Sequence, residues 1–260
     1  HGVPSNLKNT VFTFEYNNIS SLKKVISEHD IGIIKMEVKR EEDPKNNFLQ
    51  EVRKIADKKN IILIFDECTS GFRKTFGGLH KHYKVKPDMA MFGKALGNGY
   101  AITAVIGKRS IMENASTNFI SSTMWTERIG TSAAIECLNV MENMKSWQKI
   151  SQTGIWLKEQ WKKLAKLHKL KIEIQGIDAI PNFIFKSQNH NSYKTLITQE
   201  LLKKNLLATN KIFISVLHNK KNLQNYLNEM DKVFSLISRI ENGDKIENYL
   251  KYPESFNPYI

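Results

Sequence analysis

The residues with the greatest chemical reach lie close together in this chain. An apolar run, "IILIF" (61–65), ends on two carboxylates, Asp66 and Glu67, within "FDECTSGFR" (65–73). Further on, "MFGKALGNG" (91–99) places Lys94 just before a glycine cluster. A lysine amine forms a Schiff base with an aldehyde, and a carboxylate can keep a ring nitrogen protonated. Pyridoxal phosphate (PLP) needs both groups. Its lysine must swing aside when a substrate imine replaces it, and "GNG" (97–99) supplies permissive backbone for that. Crowding would also lower the lysine pKa, which suits a nucleophile and proton shuttle. Each residue alone has a plainer account. A single Asp after a strand usually caps a loop, and most lysines of this chain are solvated. The pair carries the reading, with Asp66 and Lys94 on opposite sides of one cofactor.

The surrounding elements must bring that pair together. "SSLKKVISEHD" (20–30) sets Leu22, Val25 and Ile26 on one helical face, with Ser20 or Ser21 as N-cap. "IGIIKMEV" (31–38) reads as a buried strand, and "NNFLQEVRKIADKKN" (46–60) as a second helix. "IILIFDE" then completes a strand–helix–strand unit, and continuous apolar strands indicate a parallel sheet covered on both faces. "KPDMAMFGK" (86–94) and "AITAVIGK" (101–108) add two more strands. In such a sheet ligands bind at the carboxyl ends of the strands, where Asp66, Glu67 and Lys94 fall. From Gly130 two long helical patterns follow. "LKIEIQG" (170–176), "NFIFK" (182–186), a helix at about 192–205, "KIFISV" (211–216) and a final helix at about 220–241 complete an α+β segment. The expected division is residues 1–145 and 146–260.

At this point "IILIFDECTSGFR" and "KPDMAMFGKALGNGYAITAVIGKRSIM" together resemble the class III, fold-type I PLP-dependent aminotransferases, and most of all the glutamate-1-semialdehyde aminomutase-like members. The family pattern reads D-E-V-x-x-G-F-R, a strand, then K-x-[LI]-G-x-G. The resemblance runs over nearly the whole chain and is densest from 61 to 134. It implies an α/β fold: the mostly parallel sheet of a large PLP-binding domain, incomplete here, followed by a small C-terminal α+β domain. Residue by residue, Asp66 matches the aspartate at the pyridine nitrogen and Lys94 the Schiff-base lysine. Cys68 stands where the family usually has a Val under the ring. Thr123, in "SSTMWTERIG" (121–130), matches the threonine that reaches the cofactor phosphate of the partner subunit. The implied partners are therefore an amino donor, a keto or aldehyde acceptor, and a second copy of the chain. The implied activity is transamination, with intramolecular aminomutation or a fragment without activity as alternatives.

The match has gaps. Val38 and Ala101 replace family prolines, and Asn210 stands near where the aminomutases carry an acidic residue. The family's N-terminal phosphate loop and stacking aromatic lie upstream of anything in this chain, so the sequence reads as the C-terminal portion of a longer protein. Glu37, in "KMEV", matches the family's E-P stretch, and Arg73 its "GFR" arginine. Glu67 reads as a structural salt-bridge partner. His80 and His82, in "GLHKHY", read as two exposed loop histidines rather than as metal ligands.

Composition limits the other options. The chain has 260 residues, 41% hydrophobic and 25% charged, as expected of a globular protein. Its longest apolar run is too short to cross a bilayer, and two distant cysteines make neither a disulfide framework nor a metal cluster. That usage points to a reducing cytoplasm. The net charge of +13 admits nucleic acid as a partner, but the lysines are spread along the chain rather than gathered into a stripe.

Overall fold

The computed structural model describes residues 4–120 and 127–255. The chain divides into two compact units, His1–Val140 and Met141–Ile260.

The first unit is built on a four-stranded sheet in the order β1-β2-β3-β4: β1 (Ile33–Glu37), β2 (Ile62–Asp66), β3 (Met89–Phe92) and β4 (Ala104–Gly107). The first three strands are parallel, and β4 returns antiparallel to β3. Helix α1 (Ile19–Glu28) precedes β1, and α2 (Phe48–Lys59) joins β1 to β2. Helix α1 is capped by Asn18, whose side chain accepts from the Ser21 N–H at 3.0 Å. The cap thus lies two positions before Ser20 and three before Ser21, and both serines fall inside the first turn. Helix α2 buries Phe48, Leu49, Val52 and Ala56, one stripe at helical spacing, and stops at Asn60 in the left-handed region (φ 54°). Short helices α3 (His80–Tyr83) and α4 (Arg109–Met112) follow β2 and β4 respectively, and α5 (Ile129–Met144) leaves the unit. Among the described residues, β1 and β4 each pair on one side only.

Parallel pairing fixes what matters most. The register sets Glu37 beside Asp66 and Asp66 beside Met91. Residues just beyond Asp66 and just beyond Phe92 therefore emerge at the same end of the sheet. At the opposite end Asp88, 7% exposed as a side chain, locks the strands together. Its Oδ2 accepts the Leu63 N–H at 2.8 Å and Arg53 at 2.8 Å, and Lys108 lies 2.6 Å from Oδ1. Burial works against the charge on Asp88, but these three donors outweigh it and bring its pKa down to about 2.

In the second unit, α6 (Ser146–Leu167), α7 (His190–Leu202) and α8 (Lys220–Glu241) surround an antiparallel pair, β5 (Ile172–Gln175) and β6 (Asn182–Phe185). Trp161, Phe183, Tyr193 and Phe234 are fully buried, and the Trp161 indole donates to Tyr226 Oη at 3.0 Å. Helix α6 approaches the Asp178 carbonyl at Gly154, where a Cβ would stand 1.6 Å from the oxygen. The stretch "KIFISV" forms no strand. It makes one isolated bridge, Lys211 to Asn182, and its Ile212 and Ile214 N–H groups donate to Pro181 and Ala179. Pro181 has no N–H to return the bond, so a ladder cannot develop there.

Candidate active site

Asp66 ends β2 as its chain turns sharply. Oδ1 accepts the Cys68 N–H at 3.1 Å, a local turn that aspartate favours. Oδ2 lies 3.2 Å from the Nζ of Lys35 on β1. Burial pushes the Asp66 pKa up, but the Cys68 N–H and the Lys35 ammonium pull harder, and the net shift is below the ordinary carboxylate range. Asp66 is thus held as an anion.

The turn that carries Asp66 is anchored from beneath. Glu67 is fully buried. It accepts from Ser70 Oγ, from the His80 N–H at 2.9 Å, and contacts His80 Nδ1 at 2.8 Å. Its own N–H donates to the Met91 carbonyl at 2.9 Å, prolonging the bond between β2 and β3. Gly71 has no room for a side chain, since a Cβ would sit 2.8 Å from the Glu67 carbonyl oxygen and from Phe92. Arg73 pins the turn's far side through its Nε, which donates to the Thr69 carbonyl at 2.8 Å. His80 therefore departs from expectation. It is half-buried in α3 and engaged with Glu67, while His82 is exposed. The two histidines of one helical turn point to different surroundings because they are two residues apart. Among the described residues no three His, Cys, Asp or Glu side chains gather as a metal-ligand set.

Lys94 follows β3 after Gly93 and opens a single 3-10 turn, Lys94–Leu96. Its φ is +46°, a left-handed conformation uncommon for lysine and characteristic of sites where the surroundings dictate the backbone. The side chain is exposed, and Nζ donates to Thr69 Oγ1 at 2.7 Å. The following Gly97 is obligatory, because a Cβ there would meet the Tyr100 carbonyl at 2.3 Å.

Cys68 lies between the two. A Cβ on Gly93 would come within 3.6 Å of its sulfur. Burial raises the thiol pKa, as do the hydrogen bond and charge of Asp66, while the charges of Lys94 and Lys35 act in the opposite sense. The sheet therefore gathers Lys35, Asp66, Cys68, Thr69 and Lys94 at one end. Of the residues singled out in the sequence, Asp66, Cys68 and Lys94 come together, and Thr123 lies outside the described residues. Lys35 and Thr69 were not found by sequence reasoning. The signal for Lys35 was there, as the one cation in "IGIIKMEV". Glu37 sits beside Asp66 but is engaged by Arg40 through Nε at 2.7 Å and through a second nitrogen. Next to it, a cavity of about 520 Å³ is walled by Phe12, Phe14 and Tyr16 and by Lys35, Glu37 and Arg40. Asn210, by contrast, is buried in the second unit, where its Nδ2 donates to the Phe183 carbonyl at 2.7 Å.

This fold is shared with solved structures of PLP-bound proteins. The PLP internal aldimine form of FumI from Sphingopyxis sp. MTA144 superposes with a TM-score of 0.86 at 22% identity, over 96% of this chain and 63% of that one. The profile of the family described as aminotransferase class-III matches residues 42–233, and the chain belongs to that family. A 3-aminobutyryl-CoA aminotransferase of Cloacimonas acidaminovorans is 32% identical over 207 residues, 76% of this chain and 50% of that protein. A glutamate-1-semialdehyde 2,1-aminomutase of Nitrosopumilus maritimus is 40% identical over 147 residues, 54% of this chain and 34% of that protein. The chain thus spans half or less of the length of these two curated relatives.

Proposed function

We propose that this chain carries the cofactor-holding elements of a PLP-dependent aminotransferase, which moves an amino group from an amino donor to a keto or aldehyde acceptor. The observation that carries the reading is the pairing of an anionic Asp66 with an accessible Lys94 amine, on neighbouring strand ends around Cys68. The residues fit PLP by their chemistry. Asp66 is a carboxylate kept ionised by local donors, suited to a protonated ring nitrogen. Gly93 leaves open the space beside Cys68 that a side chain would fill. Lys94 offers a primary amine parked on a hydroxyl, from which it can be released.

When bound, PLP supplies an electron-withdrawing ring that acidifies the substrate Cα–H. The protein's part is positional and protic. Asp66 holds the ring nitrogen and keeps it protonated. Lys94 would tether the cofactor and, once freed by the amino donor, its Nζ would carry the proton between the substrate Cα and the cofactor C4′. Thr69 gives the unprotonated or protonated Nζ a fixed resting partner. Cys68 packs beneath, and by the family resemblance Thr123, outside the described residues, would serve the cofactor phosphate of a partner subunit in a cytoplasmic homodimer with shared sites. In this reading residues 1–145 are the C-terminal part of the PLP-binding large domain, and 146–260 form the linking helix and small domain.

A second reading is intramolecular amino transfer, favoured by the 40% identity with an aminomutase over 147 residues. A requirement for two substrates separates the two. The test is to add PLP to the purified chain, record the visible imine band, trap it with borohydride and map the modified peptide. A label on Lys94, absent in Lys94→Ala, is expected. A label scattered over surface lysines, or no band at all, would overturn the reading for this chain and leave it a fragment that binds no cofactor.

A further inference from the structure

We infer that Lys35 is a positioning residue for Asp66: its ammonium keeps the carboxylate ionised and turned toward β1, and an arriving ring N–H must share or take over the oxygen that Lys35 holds. The inference rests on the proposed PLP site and adds to it a residue that neither the motif nor the comparisons assign.

The geometry is simple. Strand β1 alternates, with Ile34 and Met36 buried and Ile33 and Lys35 exposed on the other face. Register places Lys35 beside Ile64 and Glu37 beside Asp66. Partners in a parallel ladder share a face, so Lys35 is the diagonal neighbour of Asp66. Its Nζ stands 3.2 Å from Oδ2, while Oδ1 is engaged by the Cys68 N–H at 3.1 Å. Both carboxylate oxygens are therefore occupied. An oxygen with two lone pairs can accept a second donor, which is the route open to a ring N–H.

The other charged and titratable groups about Asp66 do not replace Lys35. Glu37, directly across on β1, is a like charge and is itself engaged by Arg40. Lys94, from beyond β3, rests on Thr69. Cys68 belongs to the turn itself, and burial raises its thiol pKa, so it contributes no anion. Stability is a poor reason for a lysine here. Lys35 is 52% exposed as a side chain, and ion pairs that open to water contribute little. A β-branched residue would suit the strand better. What the ammonium does change is the protonation of its neighbour: burial raises the Asp66 pKa, and the Cys68 N–H, the Lys35 ammonium and the Cys68 thiol together bring it below its ordinary value.

The decisive measurement needs no cofactor. The chain is labelled with ¹³C at the Asp carboxyl carbons, Asp66 is assigned by its loss in Asp66→Asn, and its titration is followed by NMR in wild type, Lys35→Met and Lys35→Arg. The Asp66 midpoint is expected to move to higher pH in Lys35→Met and to return to the wild-type position in Lys35→Arg. PLP binding, followed by quenching of tryptophan fluorescence against pH, is expected to show its acid limb moving the same way. At a pH between the two midpoints Lys35→Met should bind several-fold more weakly. Superimposed Asp66 titrations in wild type and Lys35→Met would overturn the inference. Lys35→Gln removes the charge in the same manner should the Met variant fail to fold. Failure of the chain to trap PLP on Lys94 would overturn the proposed function, while the cofactor-free titration would still decide the role of Lys35.

Discussion

Two carboxylates at opposite ends of one sheet are both held below their ordinary pKa, and they do different work. At Asp66 the donors leave the group at a surface; at Asp88 they enclose it. Because the folded pKa of Asp88 is about 2 against an ordinary 3.8, its contribution to stability is complete above pH 3.8 and drains away as pH falls toward 2. That contribution is on the order of 2 kcal/mol. Wild type should therefore lose denaturant midpoint between pH 5 and pH 2 faster than Asp88→Asn, which should be weaker at neutral pH and flatter toward acid. Parallel curves would show that Asp88 does not govern this limb. At the site end, Gly93→Ala is the sharper probe. Its φ of −167° suits any residue, and the new methyl would meet Thr103 at 3.4 Å and Cys68 at 3.6 Å, ordinary contact distances. The variant should fold with an unchanged circular dichroism spectrum and midpoint yet trap less PLP on Lys94. Trapping at the wild-type level would mean that the space over Cys68 is not used.

Among the elements, α6 tolerates change least where it meets backbone. A methyl at Gly154 would lie 1.6 Å from the Asp178 carbonyl oxygen, so Gly154→Ala should force the helix off the β5–β6 connection and lower the thermal midpoint of the second unit. Leu157→Ala, one turn on and fully buried, should cost about 2–5 kcal/mol by leaving a cavity. If the glycine variant proves the milder of the two, α6 is less closely seated than its position indicates. These elements were readable from local patterns, since "IILIF", "FLQEVRKIADKK" and the long apolar stripe of α8 each carry their period on their face. Other features were not. The Asn18 cap competes with two serines of equal propensity, and only the path of the chain decides between them. "KIFISV" has the composition of a strand, but the proline that ends its ladder belongs to a segment distant in sequence. Lys35 gains its meaning from a parallel register that no local rule supplies, and His80 from a buried glutamate thirteen positions away.

On the scale of the whole molecule, the second unit encloses its own core, from Trp161 on α6 through Phe183 on β6 to Phe234 on α8. A chain of residues 141–260 should therefore unfold cooperatively by itself, with a single sigmoidal transition seen alike by tryptophan fluorescence and circular dichroism. Non-coincident transitions would show that the unit needs support from outside it. The first unit differs: among the described residues its sheet pairs β1 and β4 on one side only. On β4 Val105 and Ile106 are exposed, and on β1 Ile33. Such margins are templates for another strand, and a net charge of +13 opposes their use between identical molecules. Salt removes that protection, since at 0.1 M the Debye length is only about 10 Å. The protein should thus behave as a colloid held apart by its own charge: dispersed in dilute buffer, and clustering as ionic strength or an added polyanion rises.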